Sequence, residues 1–119
     1  MSLADLVRQV QEENRAARKP ILLKIAPDLS ANELEEIVAT CERAEIAGII
    51  ATNTTLDHSS LGEAKDEAGG LSGAPLREKA TEFVRAIKRQ TRLPIIGVGG
   101  IMSGEEAREK IEAGASLVQ

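Results

Sequence analysis

Tryptophan and tyrosine are absent from this 119-residue chain, and Phe83 is its only aromatic ring. A core without aromatics must be filled by Ile, Leu, Val and Ala, which suits the layered branched side chains of a parallel α/β interior. Cysteine is as scarce: Cys41 alone excludes an internal disulfide and agrees with a reducing compartment. Its spacing with Leu34, Ile37 and Val38 puts it on the apolar face of a helix, as a core residue rather than a nucleophile. The single histidine, His58, has no cysteine or second histidine near it in sequence, so neither a metal site nor a catalytic triad is expected, and it reads as solvated. No apolar run approaches the ~20 residues of a membrane span and no signal-peptide pattern occurs, so the chain as given is expected to be soluble and cytoplasmic. The net charge of -4 is made of interspersed acids and bases, which argues against nucleic acid as a partner.

What the chain does contain is a glycine corner. Ile95-Ile96-Gly97-Val98-Gly99-Gly100-Ile101-Met102-Ser103 passes from a β-branched run through bare backbone, and Ser103-Gly104-Glu105-Glu106 then opens a helix with a capping-box pattern. Free N–H groups and glycines at such a strand-to-helix turn invite a phosphate. A tight turn that needs positive φ would explain the same letters. The dinucleotide fingerprint does not fit, because Met102 stands where its third glycine belongs.

The length is that of one domain, able to bury roughly two thirds of its unfolded surface. Leu3, Leu6, Val7 and Val10 predict an amphipathic helix from Ala4 to about Ala17. Ile21–Ala26 reads as a buried strand, with Leu22, Lys24 and Ala26 on one face and Ile21, Leu23 and Ile25 on the other. Lys24 within it must reach a partner or incur desolvation, which favours a site at the strand's carboxyl end, although a snorkelling lysine at a rim reads the same way. A second capping box, Ser30 with Glu33, starts a helix running to about Ala44. Ala47–Thr52 is the next strand and delivers Asn53-Thr54-Thr55, either functional residues or a plain turn. Leu56 to Ala74 lacks periodicity and is long for an idle connection, so a binding loop or lid is expected. Pro75 opens a helix with Leu76, Ala80, Phe83, Val84 and Ile87 inward, ending near Gln90-Thr91. After the glycine corner, a helix with Ala107 and Ile111 inward stops at Gly114, and Ala115–Gln119 begins a fourth strand. Alternation of helix and strand predicts a parallel sheet with helices outside, and Lys24, Asn53, Ser72 and Gly99 meeting along one rim.

Four blocks in order resemble the C-terminal half of dihydroorotate dehydrogenase, class 2. They are Lys24-Ile25-Ala26-Pro27-Asp28-Leu29, Thr52-Asn53-Thr54-Thr55, Gly69-Gly70-Leu71-Ser72-Gly73 with Pro75-Leu76, and Pro94-Ile95-Ile96-Gly97-Val98-Gly99-Gly100-Ile101. The resemblance implies an α/β fold: half of a (β/α)8 TIM barrel, with residues 1–119 forming a single partial domain that holds strands five to eight of the family's FMN-binding barrel. It implies oxidation of dihydroorotate to orotate in pyrimidine biosynthesis, with hydride passing to FMN and electrons then to quinone. Lys24 would meet the pyrimidine edge of the flavin, a contact worth about 4 kcal/mol before desolvation at an effective dielectric near 20. Thr52, Ser72 and Gly73 would line the cofactor, Gly99 and Gly100 would hold its phosphate, and Asn53 and Thr54 would hydrogen-bond the substrate.

The family's serine base, its first flavin loop and its quinone-tunnel helices have no counterpart in these residues. The chain alone is therefore expected neither to turn over nor to hold FMN tightly, while the full-length enzyme would sit peripherally on the inner membrane. Open edges and an apolar lumen face lead to an expectation of self-association. Two other readings stay open: a non-catalytic phosphate-binding half barrel, and an FMN-barrel oxidoreductase acting on a different dihydropyrimidine.

Overall fold

A computed structural model describes residues 1–62 and 67–119. The chain runs α1 (Leu3–Glu13), β1 (Leu22–Ile25), α2 (Ala31–Arg43), β2 (Gly48–Ala51), a 3-10 turn at Ala74–Leu76, α3 (Arg77–Gln90), β3 (Ile95–Gly97), α4 (Gly104–Ala113) and β4 (Leu117–Val118). The strands form one sheet in the order β1-β2-β3-β4, and every pairing is parallel. Lys24 is level with Ile50, Ile50 with Ile96, and Ile96 with Leu117, so these residues share the side of the sheet facing away from the helices.

The other side carries the core. Ile25, Ile49, Ala51 and Ile95 pack there against Leu34, Val38 and Cys41 of α2 and Val84 and Ile87 of α3. Cys41 is fully buried, and desolvation pushes its thiol up to about 11, as befits a packing residue. Both α1 and α2 begin with complete capping boxes, Ser2 with Asp5 and Ser30 with Glu33.

Three local expectations need correction. The first helix ends at Glu13 rather than about Ala17, because the Asn14 side chain bonds both the N–H (2.9 Å) and the carbonyl (2.7 Å) of Lys19 and so closes a turn. Its stripe is also only partly used: Val7 is buried, whereas Leu6 and Val10 are 46% and 42% exposed. On α4, Ile111 is 46% exposed, and the fully buried residue is its neighbour Lys110.

Candidate functional site at the carboxyl ends of the strands

Every residue assigned a role by the sequence lines one cleft of about 290 Å³. Lys24 stands near the end of β1. Thr52, Asn53 and Thr54 follow β2, Ser72 and Gly73 precede the 3-10 turn, and Gly99 and Gly100 follow β3. Thr52 is buried and donates its hydroxyl to the Asn53 carbonyl at 2.8 Å, while the Asn53 and Thr54 side chains are exposed. Lys24 is exposed rather than buried, since no element covers its side of the sheet, and among the described residues it forms no ion pair. The desolvation expected from the sequence is thus not incurred.

The glycine corner is shaped by α3. Gly99 and Gly100 have φ of 124° and 68°. A Cβ on Gly99 would lie 2.9 Å from the Ala80 Cβ, and one on Gly100 would lie 2.6 Å from the Arg77 Cβ. Close packing therefore accounts for both glycines, and their lettering does not by itself speak for a ligand. Their amides do. Val98 N–H is used by the Ala51 carbonyl and Met102 N–H by the Glu106 carboxylate. The N–H groups of Gly99, Gly100 and Ile101 between them find no acceptor among the described residues. Gly100 is itself buried, and a buried donor left without an acceptor is costly.

Two polar clusters hold this cleft in shape, and neither was singled out from the sequence. Behind the Asn53-Thr54 pair, the Asp28 carboxylate accepts from Thr55 Oγ1 at 2.5 Å, from Leu56 N–H at 2.8 Å and from Lys79 Nζ at 2.7 Å. Burial would raise the Asp28 pKa, but these donors, Lys79 foremost, outweigh it and hold the carboxyl down at about 2. Thr55 also exchanges two backbone hydrogen bonds with Leu71, at 3.1 and 2.7 Å, which ties the two ends of the 56–70 segment together. His58 within that segment is half-buried, and its ring bonds the Gly69 carbonyl at 2.8 Å, so it is not the solvated residue expected. Residues 63–66, also part of the expected loop, lie outside the described residues.

Behind the glycine corner, Arg77 bridges α3 to α4 through Glu106 at 3.1 Å and through Glu109. Glu106 completes only half of the expected capping box: Ser103 Oγ accepts its N–H at 3.2 Å, but its carboxylate turns to Met102 N–H at 2.6 Å. Beneath them the Lys110 ammonium donates to Thr81 Oγ1 at 2.6 Å and to the Arg77 carbonyl at 3.1 Å. Periodicity from Ala107 could have flagged Lys110 as readily as Ile111; its charge hid it. Asp28 stood inside a quoted motif but has no local signal, because its partners lie 27 and 51 residues away.

A wider groove of about 800 Å³ opens at the other end of the sheet, between α1, α2 and the entry to β1. It exceeds the rim cleft in size; on its wall Arg8, Gln11 and Asn14 are engaged with neighbouring side chains or backbone, whereas the side chains of Arg15, Arg18 and Lys19 find no partner among the described residues. The carboxyl-end cleft is the candidate site, because there the free backbone amides of Gly99, Gly100 and Ile101 lie with Lys24 and the residues that follow β2. No group of three or more His, Cys, Asp or Glu suited to a metal occurs among the described residues.

A four-stranded parallel sheet with outer helices and a cleft at its carboxyl-end rim defines half of a (β/α)8 barrel. The dihydroorotate dehydrogenase family model matches residues 2–119. The dihydroorotate dehydrogenase (quinone) of Cronobacter sakazakii is 53% identical over 116 residues, covering 94% of this chain and 34% of its own. That of Christiangramia forsetii is 50% identical over 122 residues, covering 98% and 36%. Among solved structures, DHODH from Eimeria tenella in complex with ferulenol matches with a TM-score of 0.78 at 39% identity, over 84% of this chain and 28% of that one. The chain belongs to the dihydroorotate dehydrogenase family, and it spans about a third of the length of these curated relatives.

Membership implies a flavin, and the cleft suits one. Among the described residues it offers unpaired amides, an unpaired cation, and short hydroxyl and amide side chains between them, a donor set compatible with a phosphorylated, electron-rich ring. Among the described residues no helix is long and apolar enough to cross a membrane.

Proposed function

We propose that this chain supplies the flavin- and substrate-facing wall of a dihydroorotate dehydrogenase, with FMN as the cofactor and quinone as the final acceptor in the whole enzyme. In family terms its strands are the fifth to eighth of the barrel. The amides of Gly99, Gly100 and Ile101 take the phosphate, and the Lys24 ammonium faces the ring edge on which negative charge collects. Thr52, Ser72 and Gly73 bound the cofactor from the β2 side. Asn53 and Thr54, exposed at the mouth of the cleft, orient the dihydropyrimidine through amide and hydroxyl hydrogen bonds. Bound FMN supplies the hydride acceptor; the side chains here supply position and charge. Proton removal from the substrate carbon belongs to a serine with no counterpart among these residues, so the chain by itself is expected to be inactive.

The observation that supports this reading most is the run of three unpaired amides in the cleft that also holds Lys24. Backbone NMR titration of the 119-residue chain tests it. FMN should shift the Gly99, Gly100 and Ile101 amides, and riboflavin, which lacks the phosphate, should leave those three unmoved. Equal effects of the two ligands, or shifts confined to the groove beside α1, would remove the basis for the assignment.

A further inference from the structure

Among the described residues one charged side chain lies in the interior, and it lies behind the glycine corner. Lys110 on α4 is fully buried, and its stem packs under Gly97. Its Nζ donates to the Thr81 hydroxyl and the Arg77 carbonyl of α3. Packing does not explain the charge, since a methionine would fill much of that space without the desolvation. Nor does Thr81 require it, because its hydroxyl already donates to the Arg77 carbonyl.

The surrounding charges supply a reason. Arg77, at the start of α3, bonds both Glu106 and Glu109 of α4. One guanidinium against two carboxylates leaves a negative charge unmatched. Arg85 and Arg108, the next cations on these helices, are taken by Glu82 and Glu112. Lys110 is the cation that brings the group to neutrality, although no carboxylate bonds it among the described residues. Desolvation lowers its pKa, and the nearby charge of Glu109 is the strongest influence in the other direction.

Where the unmatched charge falls gives the balance its use. The Glu106 carboxylate accepts the Met102 N–H at 2.6 Å, one residue beyond the free amide of Ile101. An anion approaching the amides of Gly99, Gly100 and Ile101 therefore meets a carboxylate at the end of the run. Lys110 Nζ is 3.1 Å from the Arg77 carbonyl, and the Arg77 Cα lies 2.7 Å from where a Cβ on Gly100 would be. The ammonium is thus within about 10 Å of Gly100.

We propose that Lys110 sets the affinity of the three amides for phosphate, its buried charge cancelling the carboxylate that Arg77 leaves unmatched. The role rests on the assignment of those amides to phosphate, and Lys110 acts through the field rather than by contact, as a positioning residue. At about 10 Å and an effective dielectric near 20, loss of one positive charge weakens a singly charged anion on the order of tenfold.

Titration of the 119-residue chain with inorganic phosphate in low salt, followed at the Gly99, Gly100 and Ile101 amides, tests this. Lys110→Met should weaken phosphate about tenfold while keeping the far-ultraviolet circular dichroism and urea midpoint of the parent. Glu109→Gln, which removes one carboxylate, should tighten binding, and adding it to Lys110→Met should restore affinity toward that of the parent. A purely structural role predicts no such rescue, because the second change returns the charge balance but not the bonds to Thr81 and Arg77. Added salt should narrow the gap between parent and Lys110→Met. Equal affinity of these two chains, or a loss that Glu109→Gln does not repair, overturns the role of Lys110 and leaves the phosphate assignment standing. Should Lys110→Met fail to fold, Glu109→Gln alone decides: unchanged or weaker phosphate binding overturns the charge balance. If phosphate leaves the three amides of the parent unmoved, the phosphate assignment fails and the role of Lys110 fails with it.

Discussion

Lys110, whose side chain is fully buried, has its Nζ 2.6 Å from Thr81 Oγ1, and no carboxylate bonds it among the described residues. Its other acceptor among the described residues is the Arg77 carbonyl, to which the Thr81 hydroxyl also donates at 2.9 Å. A buried cation held by neutral acceptors alone is under-compensated, and desolvation lowers its pKa from the ordinary lysine value of 10.5.

Lys110→Met should therefore be neutral or stabilising by about 1 kcal/mol at neutral pH, because Thr81 and Arg77 still satisfy each other. In the parent chain the unfolded state binds the proton more tightly. Stability should then rise as pH increases through the interval just below 10.5 and level off above it. Urea titrations across that range should show the variant's advantage shrinking toward zero; a constant advantage would refute the buried charge.

Asp28 gives a slope of the same sign at the acid end of the scale. Its folded pKa of about 2 lies below the ordinary 3.8, so its contribution is complete above pH 4 and is lost as pH falls toward 2. Asp28→Asn should cost about 1 kcal/mol at neutral pH, a figure reduced for partial exposure. The gap from the parent chain should close in acid. The Leu56 amide should also lose hydrogen-exchange protection in the variant.

Gly100→Ala places a Cβ 2.6 Å from the Arg77 Cβ and 2.7 Å from its Cα, at a φ of 68°. Backbone cannot yield as a flexible side chain can, so a loss of about 2 kcal/mol or more is expected in chemical denaturation. Gly104→Ala, where a Cβ would meet nothing within 4 Å, is the matched control and should change little.

Cys41 should resist thiol reagents in the native chain at pH 8, since it is fully buried with its thiol pushed up to about 11, and should react at once in urea. Rapid native labelling would show that the α2–sheet core opens freely.

Much of this was legible in the letters. Strand positions, helix faces on α2 and α3 and the meeting of Lys24, Asn53, Ser72 and Gly99 at one rim follow from periodicity and from the rule that parallel strands share an end. What escaped was non-local or ambiguous by nature. The stripe Leu6-Val7-Val10 announces an apolar face but not whether anything covers it, and only Val7 is buried. Lys110 reads as surface because charge usually means solvent, yet its long stem packs under Gly97 while the ammonium finds Thr81. The Asp28–Thr55–Lys79 cluster joins three segments that no window along the chain contains together. The glycine corner, too, has a cause the sequence could not supply: α3 leaves no room for a Cβ at Gly99 or Gly100.

The two-bond clasp between Thr55 and Leu71 holds the end of β2's exit against the approach to α3. Changes of length between those two residues should therefore leave strand order undisturbed, since the ends are fixed by backbone bonds and not by what joins them.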